Sequence, residues 1–451
     1  MNIVIVGGGR IGKALAVNLQ KKQHSVVVVE KDPHRAKELA NKLNILVINE
    51  DGVNMATLEK AKIKSADIFV AVTQIDELNL MACMMAKRAE VSTTVALIRN
   101  PESHSIADTG FSKEEIGVNY VINPERAVAF EISKMINYPE AAEVEYYSEE
   151  KVMLVSTVVR ENAKMVGRNL EEISLPKGCV IVGIKRANDD FIVPSGNDNV
   201  EVGDKVYLIG DAQVMRKASW LLHHKEPNVR RVVILGGGNV GFMLASNLEN
   251  DSKQKYQIKL IEKDESRYEE LKRKLKKTVI ILGDSTEWSY FNQEEIAEAD
   301  VLVTVTGDDR TNIIAAIMGD KLGVQRTISE IANNDYSYIY DTVGIVNYVN
   351  PHLITAYSIL RFAHKGELLN FSHLREEYAE VLEVVVPESC EISGKKVADA
   401  DFPKGMVIGT ITRDGEIIIP DGDTVLEPND DLVIFTRTNI SYKLDKYFCP
   451  V

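Results

Sequence analysis

Ile3-Val4-Ile5-Val6-Gly7-Gly8-Gly9-Arg10-Ile11-Gly12 opens the chain, and about 230 residues later Val232-Val233-Ile234-Leu235-Gly236-Gly237-Gly238-Asn239-Val240-Gly241 repeats it. A β-branched run that ends in Gly-x-Gly-x-x-Gly and continues with helical spacing reads as strand, tight turn and helix. Residues of quite different kinds recur at nearly the same offset. Glu30-Lys31-Asp32 returns as Glu262-Lys263-Asp264, Ala66-Asp67 as Ala299-Asp300, and Asn123-Pro124 as Asn350-Pro351. Leu175-Pro176-Lys177-Gly178 matches Phe402-Pro403-Lys404-Gly405, and Pro194-Ser195-Gly196 matches Pro420-Asp421-Gly422. The chain is therefore one half written twice, with small loop changes between the copies.

Each half divides again. Its first part alternates Val/Ile/Leu runs with helical stretches, the pattern of a parallel sheet built from βαβ units. In the first copy strands are predicted at Asn2–Val6, Ser25–Glu30, Ile45–Asn49, Ile68–Val72 and Thr94–Ile98, and helices at Ile11–Lys22 and His34–Leu43. Its second part holds short β-like runs, Val152–Val159, Val180–Lys185, Phe191–Val193 and Lys205–Ile209, between polar turns. The expected fold is α/β: two doubly wound Rossmann domains (1–138 and 227–371), each followed by a small β-rich α+β domain (139–226 and 372–451). Between the parts, Pro124–Tyr138 and its copy Pro351–Lys365 are apolar over more than one helical face. Such a helix needs burial on several sides, against a partner subunit, against the other half, or within its own core.

A 451-residue chain that is 45 % hydrophobic and 27 % charged is long enough for several cores. Its net charge of −14 argues against non-specific binding to nucleic acid or to an anionic bilayer. No apolar run reaches the roughly 18 residues that span a membrane, and no signal-like segment precedes the first strand, so a cytoplasmic location is expected. Cys83, Cys179, Cys390 and Cys449 are far apart, and His223-His224 precedes Pro227 in a polar segment. No metal site is expected.

The glycine loops are stronger evidence than a lone motif, because each follows a strand, opens a helix and has an acidic residue at the end of the next strand. Gly7, Gly8, Gly9, Arg10, Ile11 and Gly12, and Gly236, Gly237, Gly238, Asn239, Val240 and Gly241, are expected to cradle a pyrophosphate at the positive end of a helix. Glu30 and Glu262 would accept hydrogen bonds from an adenosine ribose and repel a 2′-phosphate, which favours NAD(H) or an adenine nucleotide over NADP(H). Other candidates lie at strand ends: Asp51, Thr73 and Gln74 in the first copy, Asp284 and Thr306 in the second. Thr73 and Thr306 are placed to donate to a nucleotide, whereas helix capping is the favoured role of Asp51 and Asp284. Arg99, at the mouth of the first site, suits a diphosphate; Glu330 stands at the matching place in the second. Arg10 against Asn239 is a similar asymmetry, so the two sites are expected to differ in ligand or affinity.

A nicotinamide dehydrogenase needs a proton donor or acceptor beside the nicotinamide. No such constellation is legible: the β-rich parts have no histidine between Val152 and Gly210 or after His373. No catalytic residues are assigned and no enzyme is expected. The alternatives are an NAD-dependent oxidoreductase with unrecognised catalytic groups and a soluble NAD-sensing scaffold.

The order of parts resembles the RCK (KTN/TrkA-N) and RCK-C (TrkA-C) domain family, in the duplicated form of the peripheral subunits of Trk potassium-uptake systems. The resemblance covers essentially the whole chain. It is carried by the two glycine loops, Glu30, Glu262, Ala71–Thr73 with Asp76-Glu77-Leu78-Asn79, Gly283-Asp284-Ser285, Arg99-Asn100-Pro101 and the repeated Pro-Lys-Gly. The chain departs from the family pattern at Glu50-Asp51-Gly52-Val53, where Gly-Asp-Ala-Ser is usual, and at Gln74-Ile75. What the resemblance implies is a regulatory subunit responding to NAD(H) and, in relatives, to ATP/ADP. It further implies a homo-oligomer, dimer or tetramer, that forms a gating ring on a TrkH-type membrane potassium-channel subunit, at the inner face of the membrane.

Overall fold

The computed structural model describes residues 1–21, 24–99, 117–139, 141–161, 163, 165–186, 190–220, 229–251, 254–284, 294–333, 336–343, 347–360, 368–373, 379–388 and 390–437. His223-His224, Ser285, Asn100-Pro101 and Cys449 lie outside them. In the first copy, strands β1 (Asn2–Val6), β2 (Ser25–Val29), β3 (Leu46–Ile48), β4 (Ile68–Ala71), β5 (Thr93–Leu97) and β6 (Tyr120–Ile122) form a sheet of order β3-β2-β1-β4-β5-β6. Every pairing in it is parallel. This is the doubly wound Rossmann order, in which the sequential strand order reverses beside β1 while all strands stay parallel.

The small module that follows is antiparallel. Its strands are β7 (Glu143–Tyr147), β8 (Val152–Val158), β9 (Cys179–Lys185), β10 (Phe191–Ile192) and β11 (Lys205–Asp211), in the order β10-β9-β11-β8-β7. The second copy repeats both sheets. Strands β12 (Arg231–Leu235), β13 (Gln257–Glu262), β14 (Val279–Leu282), β15 (Val301–Thr304), β16 (Arg326–Glu330) and β17 (Tyr348–Val349) take the order β14-β13-β12-β15-β16-β17. Strands β18 (Leu368–His373), β19 (Ala379–Val385), β20 (Met406–Arg413), β21 (Glu416–Ile418) and β22 (Asp431–Arg437) take the order β18-β19-β22-β20-β21. The expected boundary between 371 and 372 falls inside β18, which pairs with β19 of the small module. Strands β6 and β7 and their copies β17 and β18 were not expected from the sequence.

Compactness does not follow chain order. One unit is made of Met1–Asn137 and Val229–Ala363, the other of Tyr138–Asn228 and His364–Val451, so like parts of the two copies pair with each other.

In the Rossmann unit the bonds between copies are the two crossover helices, Pro124–Asn137 and Pro351–Leu360. The first packs on helix Asn239–Glu249 of the second copy, the second packs on helix Arg10–Lys21 of the first, and the two pack on each other. Val128, Ala129, Ile132 and Ile136 thus join the core around Val232, Ile234 and Leu244, while Ala356, Ile359 and Leu360 join the core around Ile3, Ile5 and Leu15. Their apolar circumference is explained by burial against the other half. The second helix is described only as far as Leu360, and the rest of the expected stretch to Lys365 lies outside the described residues.

In the other unit the small modules share a core in which Tyr147, Leu154, Val182, Phe191 and Tyr207 meet Val381, Val433 and Phe435. The Phe191 and Phe435 rings stack at 5.7 Å, with Tyr207 tilted against Phe435 at 5.5 Å. No helix among the described residues is long and apolar enough to cross a membrane.

Candidate functional site

Each glycine loop leaves the carboxyl end of the central strand, β1 or β12. Gly7 adopts φ +107° and Gly236 φ +106°, in the left-handed region that side chains avoid. A Cβ on Gly12 would lie 1.9 Å from the Gly7 carbonyl oxygen, and one on Gly241 would lie 1.9 Å from that of Gly236, so each helix is seated directly against its loop. Gly9 and Gly238 differ: a Cβ at either would meet nothing within 4 Å. That open space is where a pyrophosphate would reach the backbone. Neither helix Arg10–Lys21 nor helix Asn239–Glu249 has an acidic residue in its first turn, which leaves its positive end available to an anion.

The acidic residue at the next strand end is fixed in the same way in both copies. Glu30 Oε2 accepts from Gly8 N at 2.6 Å and its Oε1 from Asp32 N at 2.8 Å. Glu262 Oε2 accepts from Gly237 N at 2.8 Å and its Oε1 from Asp264 N at 2.8 Å. Two residues on, Asp32 and Asp264 cap the following helices, accepting from His34 N and Arg35 N and from Arg267 N. The Arg35 N–H is the main influence holding the Asp32 carboxyl below its usual range.

Thr73 and Thr306 take a role the sequence did not reveal. The Thr73 hydroxyl donates to Asn79 Oδ1 at 2.7 Å, and Thr306 donates to Asn312 Oδ1 at 2.8 Å. Their backbone N–H groups donate to the same oxygens, at 2.9 Å in each copy. Asn79 and Asn312 are 0 % and 1 % exposed. Their amide groups reach the neighbouring strand, to Leu97 O at 2.8 Å and Glu330 O at 3.0 Å. The threonine hydroxyl proton is thus committed to an internal clamp rather than offered to a ligand. Asp51 also departs from expectation: it accepts from Val53 N at 2.9 Å within a turn, and Asn54 is the residue that caps helix Met55–Lys60. Asp284 ends the described segment, and Gln74 is exposed.

The crossover helices bring charged groups of the two copies together. Arg99, at the end of β5, donates from Nη1 to Glu125 Oε1 at 2.8 Å. Its backbone N–H is held by the Asp76 carboxylate, as Ala332 N and Asn333 N are held by Asp309 in the second copy. Glu125 begins the first crossover helix, and His352, at the matching place, begins the second. The Glu330 carboxyl is pushed up to about 7, by burial first and then by the negative fields of Asp309 and Glu125. The His352 ring is pushed down to about 4, again by burial first and then by the positive fields of Arg10 and Arg99, against a smaller opposing effect of Asp309. Among the described residues, Glu125 Oε2 and His352 Nε2 are buried without a hydrogen-bond partner. The sequence reading singled out Arg10, Arg99 and Glu330 but missed Glu125 and His352. The signal was present one residue beyond Asn123-Pro124 and Asn350-Pro351, where the copies change from Glu to His.

Cys83 and Cys179 are buried free thiols, and burial pushes Cys179 up to about 11. No cluster of metal-ligating side chains occurs among the described residues.

The TrkA-N domain family matches residues 3–124 and 232–351, and the TrkA-C domain family matches 154–222 and 381–448. Trk system potassium uptake protein TrkA homolog 1 of Methanosarcina mazei is 30 % identical over 99 % of this chain and 100 % of its own length. The Trk system potassium uptake protein TrkA of Vibrio alginolyticus is 31 % identical over 96 % of this chain and 95 % of its own. Two solved structures share the fold at 18 % identity and cover 99 % of this chain. The GsuK RCK domain aligns with a TM-score of 0.60 over 94 % of its own chain, and the GsuK channel bound to NAD with 0.62 over 78 % of its own. Fold and site together define a duplicated Rossmann protein with paired small β-rich modules. The chain belongs to the TrkA family.

Proposed function

We propose that this chain is the nucleotide-responsive regulatory subunit of a Trk-type potassium-uptake channel, binding NAD(H), with ATP or ADP as further ligands. The observation that carries the reading is the pairing, in each copy, of an open backbone cradle at Gly9 or Gly238 with a fixed carboxylate at Glu30 or Glu262. The residues fit such a ligand. Gly7 to Gly12 and Gly236 to Gly241 would hold the phosphates. Each oxygen of Glu30 or Glu262 accepts one backbone N–H and keeps a lone pair for a ribose hydroxyl. A 2′-phosphate there would meet an uncompensated carboxylate, so NAD(H) is favoured over NADP(H).

The full-length relatives are named for potassium uptake, which supports a membrane potassium-channel subunit of TrkH type as partner and a position at the inner face of the membrane. On this reading, copies of the chain assemble into a homo-oligomeric gating ring. Nucleotide acts by binding two ring conformations with unequal affinity, since equal binding shifts nothing. The chain binds without turnover. We retain the four-part division at about residues 138 and 226, with the last boundary moved ahead of β18.

The test is to purify the chain, titrate it with NAD, NADH, ADP and ATP, and co-express it with a multispanning potassium-channel subunit. Saturable binding and co-purification are expected. Steady oxidation of NADH by the purified chain would sink the proposal in favour of an oxidoreductase.

A further inference from the structure

The two copies keep their cradles alike and differ where the sites meet. At that seam stand Arg10 at the start of helix Arg10–Lys21, Arg99 at the end of β5 and His352 at the start of the second crossover helix. His352 belongs to the second half in sequence, yet its helix packs on helix Arg10–Lys21, and Ala356, Ile359 and Leu360 lie in the first copy's core. Two cations and a histidine with a buried, unpartnered Nε2 therefore meet at the mouth of the first glycine loop.

We propose that His352 completes the first nucleotide site from the other half of the chain: with Arg10 and Arg99 it receives the terminal phosphate of a nucleoside di- or triphosphate, and that dianion draws a proton from solvent onto the imidazole. The proposal rests on the nucleotide reading of the glycine loops and deepens it. The bond formed is Nε2–H to a phosphate oxygen, which gives the buried nitrogen the partner it lacks. NAD has only phosphodiester charges and no terminal dianion, so it gains little from the trio. The second site, with Asn239 for Arg10 and Glu330 for Arg99, has no such trio and suits NAD better than ADP.

The charges around His352 set the sign. Arg10 and Arg99 face it from the first copy and Asp309 from helix Asp309–Lys321. Glu125 pairs with Arg99, and Glu330 faces Glu125 and Asp309. Without an anion, burial and the two arginines hold the ring neutral at pH 7. A phosphate dianion cancels both arginines locally and raises the proton affinity of the ring, so binding tightens as pH falls. Glu330 would also take up a proton beside a new anion, and the experiment has to separate the two.

Full-length wild type, His352→Gln and Glu330→Gln are titrated calorimetrically with ADP, ATP and NAD at pH 6 and pH 8, in two buffers of different ionisation enthalpy. In wild type, ADP binding is expected to strengthen relative to His352→Gln by about tenfold between pH 8 and pH 6, the gain expected if the ring titrates at about 7 in the complex. His352→Gln should lose the uptake due to the imidazole and keep only that of Glu330, whereas Glu330→Gln should keep the uptake due to the imidazole. NAD affinity at the second site should differ by less than about twofold between wild type and His352→Gln, which also reports that the variant is folded. If no nucleotide binds wild type, the glycine-loop reading fails and this proposal with it. If ADP binds wild type and His352→Gln with the same pH dependence, the proposal alone is overturned.

Discussion

The two Rossmann copies agree wherever a residue holds the scaffold and disagree wherever charge faces the seam. Gly12 and Gly241 touch the carbonyl of their own loop, Glu30 and Glu262 bind the same pair of N–H groups, and Asn79 and Asn312 clamp the same strand ends. Against this, Arg10 corresponds to Asn239, Arg99 to Glu330 and Glu125 to His352. The architecture of a nucleotide cradle tolerates little change, since its groups lie at contact distance. The charge at its mouth is free of that constraint, and on the proposed reading it decides which anion enters.

The largest effect should come from closing one cradle. Gly12→Val places carbon inside the van der Waals radius of the Gly7 carbonyl and must displace the helix, so nucleotide binding at the first site should fall by at least about 100-fold. Gly241→Val should do the same to the second site only. Calorimetric stoichiometry distinguishes them, because each variant should keep the site the other loses.

Next in size is the clamp. Asn79→Ala leaves the Thr73 N–H and the Leu97 carbonyl without their partner in a buried place, at a cost of about 2–4 kcal/mol in thermal or urea unfolding. Asn312→Ala should cost a similar amount. A loss below about 0.5 kcal/mol in either would contradict the clamp.

The seam should show itself in pH dependence. Glu330 keeps its proton in the folded state up to about pH 7, whereas an unfolded glutamate releases it near 4.5. Over that window the folded state binds more protons, so the contribution of Glu330 is fully present below about pH 4.5 and is lost as pH rises through 7. The loss is about 3 kcal/mol. Glu330→Gln should therefore be more stable than wild type above pH 7, with the difference disappearing near pH 4.5. His352 works the other way: with its ring pushed down to about 4 from 6.5, stability rises with pH across that interval. Solvent screening reduces its share, as the ring is only partly buried. Matching unfolding curves of wild type and Glu330→Gln from pH 4 to 8 would remove the buried carboxyl from the account.

The smallest effect is expected at Arg99→Gln, which removes one cation from the first site while sparing the cradle. ADP affinity at that site should drop about tenfold and the second site should not respond.

Much of this was legible in the sequence because the chain supplies its own comparison. The glycine loops, the Glu-x-Asp strand ends and the apolar crossover helices could be read from recurrence and periodicity, and strand bounds followed within a residue or two. Three things could not. Strands β6, β7, β17 and β18 are short edge strands, so periodicity passes over them. The binding of Thr73 to Asn79 spans a strand end and the next helix, and only the folded turn shows that the hydroxyl is already committed. The meeting of His352 with Arg10 and Arg99 depends on crossover helices exchanged between copies more than 200 residues apart, which the apolar faces suggested without choosing between partners.

On the proposed reading, one chain carries two nucleotide sites, alike in cradle and unequal at the mouth. Its most direct test is calorimetric titration of the full chain with NAD and ADP at fixed pH, counting sites and affinities. Two classes of site per chain are expected, one removed by Gly12→Val and favouring ADP, the other removed by Gly241→Val and favouring NAD. Two sites of equal affinity for both nucleotides, or binding that survives both substitutions together, would contradict it.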